Sequence, residues 1–459
     1  MPEAPFAPYS IAAEIIRLSP GPLATWAIEQ LGHNALQSLG WGCVAVTLVL
    51  GFLLGKRSAL LFGVLAFLLT LLAARIDPMD VHVGPTLLSA AVAGAAAWLT
   101  ALMLAPRDEG VDADPTRRRL IAGAALASLF YATSAGALVR RQTEKAPSGP
   151  VRADTRAVLP ADSAFEELPS LSPRVTPTAQ HYLVDINLDD PHVGGDGWRL
   201  HVKGEVDNEL SFSLNELRAM RTTEVLLVMQ CISNNVGGRL IGNARWTGVP
   251  TAALLDMARP KPDRRSVLAR SVDGYTDVIA LDALQRGEAM VAFGMNGSLL
   301  PRGHGFPARL LYPGHYGMRS VKWLKELVLL DHEEQGYWAQ RGWDKEALMR
   351  TAARIDVPKS GNSVSASFTA GGIAWAGDRR ISKVELSTDD GASWQEAQLE
   401  RELFALSWRR WQIDLQLAPG EHHLLVRAYD GSGAVQDAKE RAPHPSGSSG
   451  YHSIRVIVG

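Results

Sequence analysis

Hydrophobic residues divide this chain into an apolar first third and a polar remainder. Four apolar stretches, each free of Asp, Glu, Lys and Arg, lie in the first third, and they span residues 35–55, 58–74, 83–105 and 120–139. Each has about the length of a helix that crosses a bilayer. The pattern therefore predicts four transmembrane helices within 35–139. A buried helical bundle of a soluble protein is the alternative.

The N-terminal segment 1–34 has a different character. Its stretch 11–31 carries Glu14, Arg17 and Glu29 within an otherwise apolar sequence. Charges in these positions favour an amphipathic or surface helix over a fifth membrane span.

Loop charges predict the orientation of the four spans. The loop after the first span and the loop before the fourth are the richer in basic residues, and they hold Lys56, Arg57, Arg107, Arg117, Arg118 and Arg119. Basic loops stay in the cytoplasm. We therefore expect a multi-pass protein of the cell membrane, with everything after residue 139 outside the cytoplasm.

The basic cluster before the fourth span has a second interpretation. Thr116-Arg117-Arg118-Arg119-Leu120-Ile121 resembles the twin-arginine signal, which exports proteins already folded. A plain cluster of positive charge that holds the loop inside is the other interpretation.

The polar remainder contains a linker and two domains. Residues 140–175 are rich in Pro, Ala, Ser and charge, which is typical of a linker. Over 176–345, strand-like runs (198–206, 224–229) alternate with helical ones (214–220), which predicts an α+β domain. Over 346–459, runs such as 384–387, 411–415, 423–429 and 452–458 alternate apolar and polar residues. They predict an all-β, immunoglobulin-like sandwich.

Charge and cysteine content narrow the function classes. The 459 residues carry a net charge of −2, which gives no basic field for nucleic acid. Of the two cysteines, Cys43 lies in an apolar run and Cys231 deep in the polar part, so a structural disulfide is not expected.

Cys231 is the first residue of chemical interest. It stands where the apolar run Glu224-Val-Leu-Leu-Val-Met-Gln enters a polar loop, Cys231-Ile-Ser-Asn-Asn-Val-Gly-Gly. A thiolate at such a junction suits a soft-ligand metal site or a nucleophile. A small buried hydrophobic residue is the alternative.

Further motifs place basic side chains beside glycine-rich backbone, as an anionic phosphate requires. They are Ala244-Arg245-Trp246-Thr-Gly, Ser271-Val-Asp273-Gly-Tyr, His304-Gly-Phe-Pro-Ala-Arg309 and Gly317-Met-Arg319-Ser320-Val-Lys322-Trp-Leu. Neither a P-loop nor a dinucleotide fingerprint occurs among them, which disfavours an ordinary nucleotide.

In this order, and together with Gln230-Cys231-x-x-Asn234, the motifs resemble those of the sulfite oxidase and plant nitrate reductase superfamily. The match covers about residues 180–345, and the sandwich resembles that family's dimerisation domain. The resemblance implies a molybdenum–molybdopterin cofactor, with Cys231 as metal ligand and catalytic residue. The cofactor-binding residues that it implies, besides Cys231, are Tyr182, Asp185, Asn234, Arg245, Asp273, His304, Arg309, Arg319, Ser320 and Lys322.

The chain departs from the sulfite oxidases at the substrate site. Two arginines that follow the family's Cys-x-x-Asn are here Asn235 and Val236, and another is Val184. The family's active-site tyrosine aligns with Trp343, which we take as the second catalytic position. Bidentate arginines commonly hold anions. A neutral sulfoxide, N-oxide or other small oxygen-transfer substrate therefore fits better than sulfite.

Partners and alternative functions follow from the same comparison. The four spans contain no His, so a bis-His haem cannot form within them, and we expect a separate redox partner protein. A homodimer through the sandwich is a further expectation. A reductase of oxidised sulfur groups and a catalytically silent cofactor-binding module remain as alternatives.

Overall fold

The computed structural model describes residues 148–157, 165, 168–187, 190–263, 265–286 and 288–459. The N-terminal segment, the four predicted transmembrane helices and the arginine cluster 117–119 lie outside the described residues. Within the described ranges, no helix is long and apolar enough to cross a membrane.

The residues that the structure describes fall into two compact units. The larger unit comprises Ala146–Val184, Val193–Ser271 and Tyr275–Gly459. The segments Asp185–His192 and Val272–Gly274 belong to the other unit. The elements below lie in the larger unit.

The first part of the larger unit is an α+β domain. Its strands are β1 (Arg199–Gly204), β2 (Leu210–Ser213), β3 (Thr223–Gln230), β4 (Ile241–Pro250), β5 (Ser266–Ser271), β6 (Thr276–Ala280), β7 (Met290–Met295), β8 (Ser298–Leu299), β9 (Arg309–Leu311) and β10 (Leu324–Leu330). Its helices are α1 (Leu214–Ala219), α2 (Thr251–Ala258) and α3 (Leu281–Arg286). The α+β prediction is confirmed, with β1, α1 and β3 at the predicted runs.

Two sheets enclose the core of this domain. One has the order β2-β1-β10-β5-β6, with β1 and β10 parallel. The other has the order β3-β4-β7-β8, with β9 also paired to β7. Leu200 and Leu327 of the first sheet and Leu227 and Ala244 of the second are buried in one apolar core. Strand β3 is buried from Val225 onward, which accounts for its uninterrupted apolar sequence.

The last part of the larger unit is a β-sandwich, as the alternating pattern predicts. Its strands are β11 (Ala352–Val357), β12 (Ser363–Val364), β13 (Ser367–Trp375), β14 (Ile381–Ser387), β15 (Gln395–Glu396), β16 (Gln398–Leu399), β17 (Arg409–Gln416), β18 (Gly420–Asp430) and β19 (His452–Val458). The sheet orders are β11-β13-β17-β16 and β12-β19-β18-β14-β15. Alternate residues of both sheets form its core, including Trp411, Leu415, Leu424 and Val426.

The segment before the α+β domain packs against it. Pro150 forms a bridge with Ser298, and Thr155 forms one with Thr223. Farther along, the Arg174 guanidinium donates to Glu400, whose other oxygen accepts from the buried Arg410 at 2.7 Å. These contacts hold the chain beside β3 before it reaches Tyr182.

Candidate active site

The metal-ligand candidate Cys231 directly follows β3. The antiparallel register of β3 and β4 pairs Gln230 with Ile241. The Cys231 N–H donates to the Leu240 carbonyl at 2.9 Å, and the Leu240 N–H donates to the Asn234 side-chain oxygen at 2.9 Å. Asn234 therefore closes the loop that carries the thiol.

The sandwich holds this loop at several points. The Trp375 indole N–H donates to the Gln230 side-chain oxygen at 2.8 Å. The Ser448 hydroxyl donates to the Asn234 carbonyl at 2.7 Å. Farther along the loop, Arg354 donates to the Gly238 carbonyl at 2.7 Å. Both domains of the larger unit thus determine where Cys231 lies.

Cys231 is a free thiol and is partly buried. Its Sγ lies 3.0 Å from the Ser233 Oγ. Burial raises the pKa of the thiol, while hydrogen bonds with Ser233 and the positive charge of Lys322 act in the opposite direction. A bound cation would convert this thiol to the thiolate that soft metals prefer.

Aromatic rings and two histidines lie around the thiol. The ring of the buried His181 stacks on Tyr182 at 5.2 Å and meets His304 edge-on at 5.3 Å. Burial lowers the pKa of His181 to about 4 and that of His304 to about 3. Both imidazoles are therefore neutral at neutral pH and act as hydrogen-bonding groups. Burial also raises the pKa of Tyr182 well above its usual range, so Tyr182 keeps its proton.

The permanent positive charges of the site come from Arg309 and Lys322. The Leu310 N–H donates to the Val321 carbonyl at 2.8 Å, which brings their two segments together. Gly305 has φ +105°, and a Cβ there would lie 3.1 Å from the Cβ atoms of both Arg309 and Lys322. Glycine is therefore needed for their close approach.

Arg309 is only 3% exposed, and its Nε has no partner among the described residues. It donates to the Ser320 carbonyl at 2.9 Å and to the His304 carbonyl at 3.2 Å. Burial lowers its pKa to about 10, which keeps it protonated at neutral pH. Its Nε, the His181 Nε2 and the Asn234 Nδ2 are buried without a hydrogen-bond partner among the described residues.

Buried polar atoms without a partner are rare in native proteins and indicate a missing ligand. Here they belong to donor-bearing side chains near two cations and a thiol. These groups fit a metal-bearing cofactor that carries a phosphate and a hydrogen-bonding heterocycle. Lys322 and Arg309 would hold the anionic part, and Cys231 would bind the metal.

Other predicted residues have structural partners. Arg245 donates to the Glu224 carboxylate at 2.9 Å, and it pairs with Leu226 on β3, well before Cys231 along the strand. Arg319 is buried and donates to Asp277 at 2.8 Å. Both guanidinium groups therefore form ion pairs within the fold.

The remaining predicted residues of the larger unit occupy distinct positions. The Ser320 hydroxyl accepts from the Tyr312 N–H at 3.1 Å, and so fixes the turn before Lys322. Trp343 is 6% exposed and lies in the same apolar cluster as Ile232, the residue after Cys231. Its indole N–H has no partner among the described residues, and its ring meets His444 edge-on at 5.0 Å.

Asp185 and Asp273 belong to the other unit. There the Asn187 side-chain amide donates to the Asp273 carboxylate at 2.5 Å, and the Asn187 backbone N–H donates to Asp185 at 2.9 Å. Their predicted role toward the cofactor stays a prediction.

Sequence reasoning did not single out His181 or Ser233. His181 directly precedes Tyr182, and a Cβ added to Gly242 would collide with its ring. Ser233 lies between Cys231 and Asn234, within the loop that the sequence analysis identified as a candidate site. Proximity to a recognised motif was therefore the available signal for both residues.

Comparison with known proteins is consistent with this site. Residues 187–338 match the family described as "Oxidoreductase molybdopterin binding domain", and residues 348–442 match "Mo-co oxidoreductase dimerisation domain". Mitochondrial sulfite oxidase of Rattus norvegicus is 31% identical over 303 residues, which are 54% of this chain and 55% of that protein. Nitrate reductase [NADH] 1 of Phaseolus vulgaris is 23% identical over 333 residues, which are 58% of this chain and 38% of that protein.

A solved structure shows the same fold. The sulfane dehydrogenase SoxCD from Paracoccus pantotrophus matches with a TM-score of 0.57 and 22% identity, over 65% of this chain and 87% of that one. This chain spans about half the length of the first curated relatives that it matches.

Fold and site together define a molybdopterin-binding domain followed by a dimerisation-type sandwich. Residues 187–338 and 348–442 carry the two domains of sulfite-oxidase-like, molybdenum-dependent oxidoreductases. Its cofactor is molybdenum–molybdopterin, which supplies two-electron chemistry when bound. The residues described above fit this cofactor: Cys231 would bind the metal, and Arg309 and Lys322 would hold the anionic part.

Proposed function

We propose that this protein is a membrane-anchored molybdenum enzyme that catalyses two-electron, oxygen-atom transfer on a small uncharged substrate outside the cytoplasm. The observation that carries the proposal is the partly buried Cys231 thiol, which lies 3.0 Å from the Ser233 Oγ and interacts with the positive charge of Lys322. Thiolate is the ligand type that a high-valent soft metal site requires. The nearby Arg309 and Lys322 suit the cofactor's phosphate.

The uncharged substrate is inferred from the positions after the metal ligand. Asn235 and Val236 follow Asn234, and neither can bind an anion bidentately. At the second catalytic position, Trp343 offers an indole N–H, which donates but carries no charge. A sulfoxide or N-oxide oxygen accepts such a hydrogen bond. The roles of these residues at the substrate are part of the proposal.

The membrane anchor and the extracytoplasmic location rest on the sequence. Four uncharged apolar stretches of bilayer length within 35–139 support the anchor, and basic loops support the orientation. Because these predicted spans contain no His for a bis-His haem, a separate redox protein would exchange electrons with the site. The dimerisation-type sandwich supports a homodimer.

The test uses the full chain purified in detergent with its cofactor. Molybdenum per chain is measured by mass spectrometry, and turnover is followed with a redox dye on sulfite, a dialkyl sulfoxide and an aromatic N-oxide. Cys231→Ser is the matched variant. We expect molybdenum in both proteins, turnover of a neutral substrate by the wild type, and loss of turnover in the variant.

Each other outcome is informative. Near-normal turnover by Cys231→Ser would remove the metal-ligand assignment. Faster turnover of sulfite than of the neutral substrates would overturn the substrate class. Bound molybdenum without turnover of any substrate would favour a cofactor-binding module that is catalytically silent.

A further inference from the structure

A separate cavity lies where the α+β domain meets the sandwich. Its volume is about 370 Å³, within the range of small-molecule sites. Its walls come from the segment before Tyr182, from the end of the Cys231 loop and from strands β11 and β19. The residues used below are Ser172, Arg239, Arg354, Asp356, Lys359, Trp408 and His452, all of which line it.

The cavity has cations that the protein does not neutralise. Arg239 and Lys359 both line it and are exposed, and neither side chain has an ion-pair or hydrogen-bond partner among the described residues. A third cation, Arg354, is anchored by Asp356 at 2.8 Å and by the Gly238 carbonyl at 2.7 Å.

The one carboxylate among the lining residues is already satisfied. Asp356 is 3% exposed. One of its oxygens accepts from Arg354 at 2.8 Å, and the other accepts from the Ser172 N–H at 3.1 Å. Asp356 therefore cannot neutralise Arg239 or Lys359 as well.

A neutral donor adds to the cations. His452 accepts the Ile355 N–H on Nδ1 at 3.0 Å, so the neutral ring carries its proton on Nε2. Two cations and an N–H donor at one cavity favour a ligand that is rich in hydrogen-bond acceptors.

We propose that this cavity binds a small anion with several negative oxygens, such as a sulfate, a phosphate or a dicarboxylate. Arg239 and Lys359 hold its charge, and His452 donates a hydrogen bond. The site differs from that of the cofactor. On β4 the lining residue Ile241 packs in the apolar cluster with Trp408, whereas the next residue, Gly242, lies against His181. Successive strand residues face opposite sides of a sheet.

An anion in this cavity would also stabilise the loop that carries Cys231. Arg239 directly precedes Leu240, whose carbonyl accepts the Cys231 N–H at 2.9 Å. An anion that holds Arg239 against the sandwich restricts the motion of the segment that leads into β4. Binding should therefore stabilise the loop whether or not Cys231 can carry out chemistry.

The experiment is calorimetric titration of the full-length holoenzyme in detergent with sodium sulfate, sodium phosphate and sodium succinate at constant ionic strength. Arg239→Gln and Lys359→Gln remove the unpaired charges. Arg218→Gln, on the exposed face of α1, removes a cation that does not line the cavity. We expect at least one anion to bind, with affinity about tenfold weaker in each cavity variant and unchanged in the control.

Two results would overturn the proposal: the absence of binding by all three anions at tens of millimolar, or equal binding by wild type and both cavity variants. Cys231→Ser separates this proposal from the proposed function. Its cavity is intact, so it should bind the anion as the wild type does even where turnover is lost. Loss of binding in Cys231→Ser would mean that the anion occupies the cofactor site.

Discussion

The Trp375 indole N–H lies 2.8 Å from the Gln230 side-chain oxygen and ties sandwich strand β13 to the residue before Cys231. Both groups are buried, so the bond has no competing water. The sandwich therefore fixes one end of the loop that carries Cys231.

Trp375→Phe should destabilise the protein by about 1–3 kcal/mol, because it leaves the Gln230 oxygen buried without a donor. Gln230→Leu should destabilise the protein by a similar amount, because it leaves the Trp375 indole N–H buried without an acceptor. Thermal unfolding of the single and double variants gives the coupling energy between the two sites. Strictly additive losses would show that ring volume, and not this bond, accounts for the effect.

Ser233→Ala should lower turnover by roughly tenfold while molybdenum content stays at the wild-type level. The Ser233 Oγ lies 3.0 Å from the Cys231 Sγ, so its hydroxyl adjusts the electron density on the sulfur. The midpoint potential of the bound metal, followed by EPR, should shift as well. Ser233→Thr keeps the hydroxyl and is the matched control. Unchanged turnover and potential in Ser233→Ala would exclude this role.

Arg309→Ala and Lys322→Ala should lower cofactor occupancy. Each removes a charge-assisted hydrogen bond to the cofactor, which is worth about 1.5–3 kcal/mol. Occupancy is measured as molybdenum and as pterin fluorescence per chain, which do not depend on turnover. If occupancy stays at the wild-type level in both variants, the phosphate pocket lies elsewhere.

Arg319→Met should lower the stability of the fold and not specifically the cofactor occupancy. Removing one partner of the buried pair with Asp277 costs about 3–5 kcal/mol, because the other charge is left uncompensated. We expect a large fall in melting temperature both with and without cofactor. The double variant Arg319→Met, Asp277→Leu should recover part of the loss. A cofactor-specific defect at unchanged stability would instead assign Arg319 to the site.

Stability should fall as the pH drops from 6.5 toward 4, in part through His452. Burial lowers the pKa of His452 to about 4, below its ordinary value of 6.5, and Nδ1 must stay unprotonated to accept the Ile355 N–H. The unfolded chain therefore binds the proton first, and stability is lost as pH falls, by roughly 2 kcal/mol at pH 5. His452→Asn keeps an acceptor without titrating. Its melting temperature should depend less steeply on pH between 7 and 5, and an unchanged slope would assign the effect to other groups.

Export of the catalytic part should depend on Arg117 and Arg118. Replacing both with Lys keeps the positive charge that sets orientation, so only a pathway that recognises arginine should fail. The measurement is protease accessibility of the 150–459 region in spheroplasts, with a cytoplasmic protein as control. Exposure in both the wild type and the double Lys variant would rule out the twin-arginine route. Protection of the wild-type region would overturn the topology.

Pattern and motifs were sufficient to predict the architecture of the polar two thirds. Period-2 alternation located β14, β17, β18 and β19, because a sandwich strand must bury every second residue. The unbroken apolar run before Cys231 indicated a strand. The order of short motifs around Cys231, His304 and Lys322 identified the family, since each motif is local in the chain.

The pairing of three arginines could not be predicted from the sequence. Arg245, Arg309 and Arg319 all occur in motifs that resemble the family's. Arg245 is neutralised by Glu224 and Arg319 by Asp277, 42 residues away in the chain, whereas the Nε of Arg309 has no partner among the described residues. A side chain's charge is a local property, but its pairing depends on strand register and on contacts between distant segments. For the same reason, neither the position of His181 nor the hydrogen bond between Trp375 and Gln230 could be predicted from the sequence.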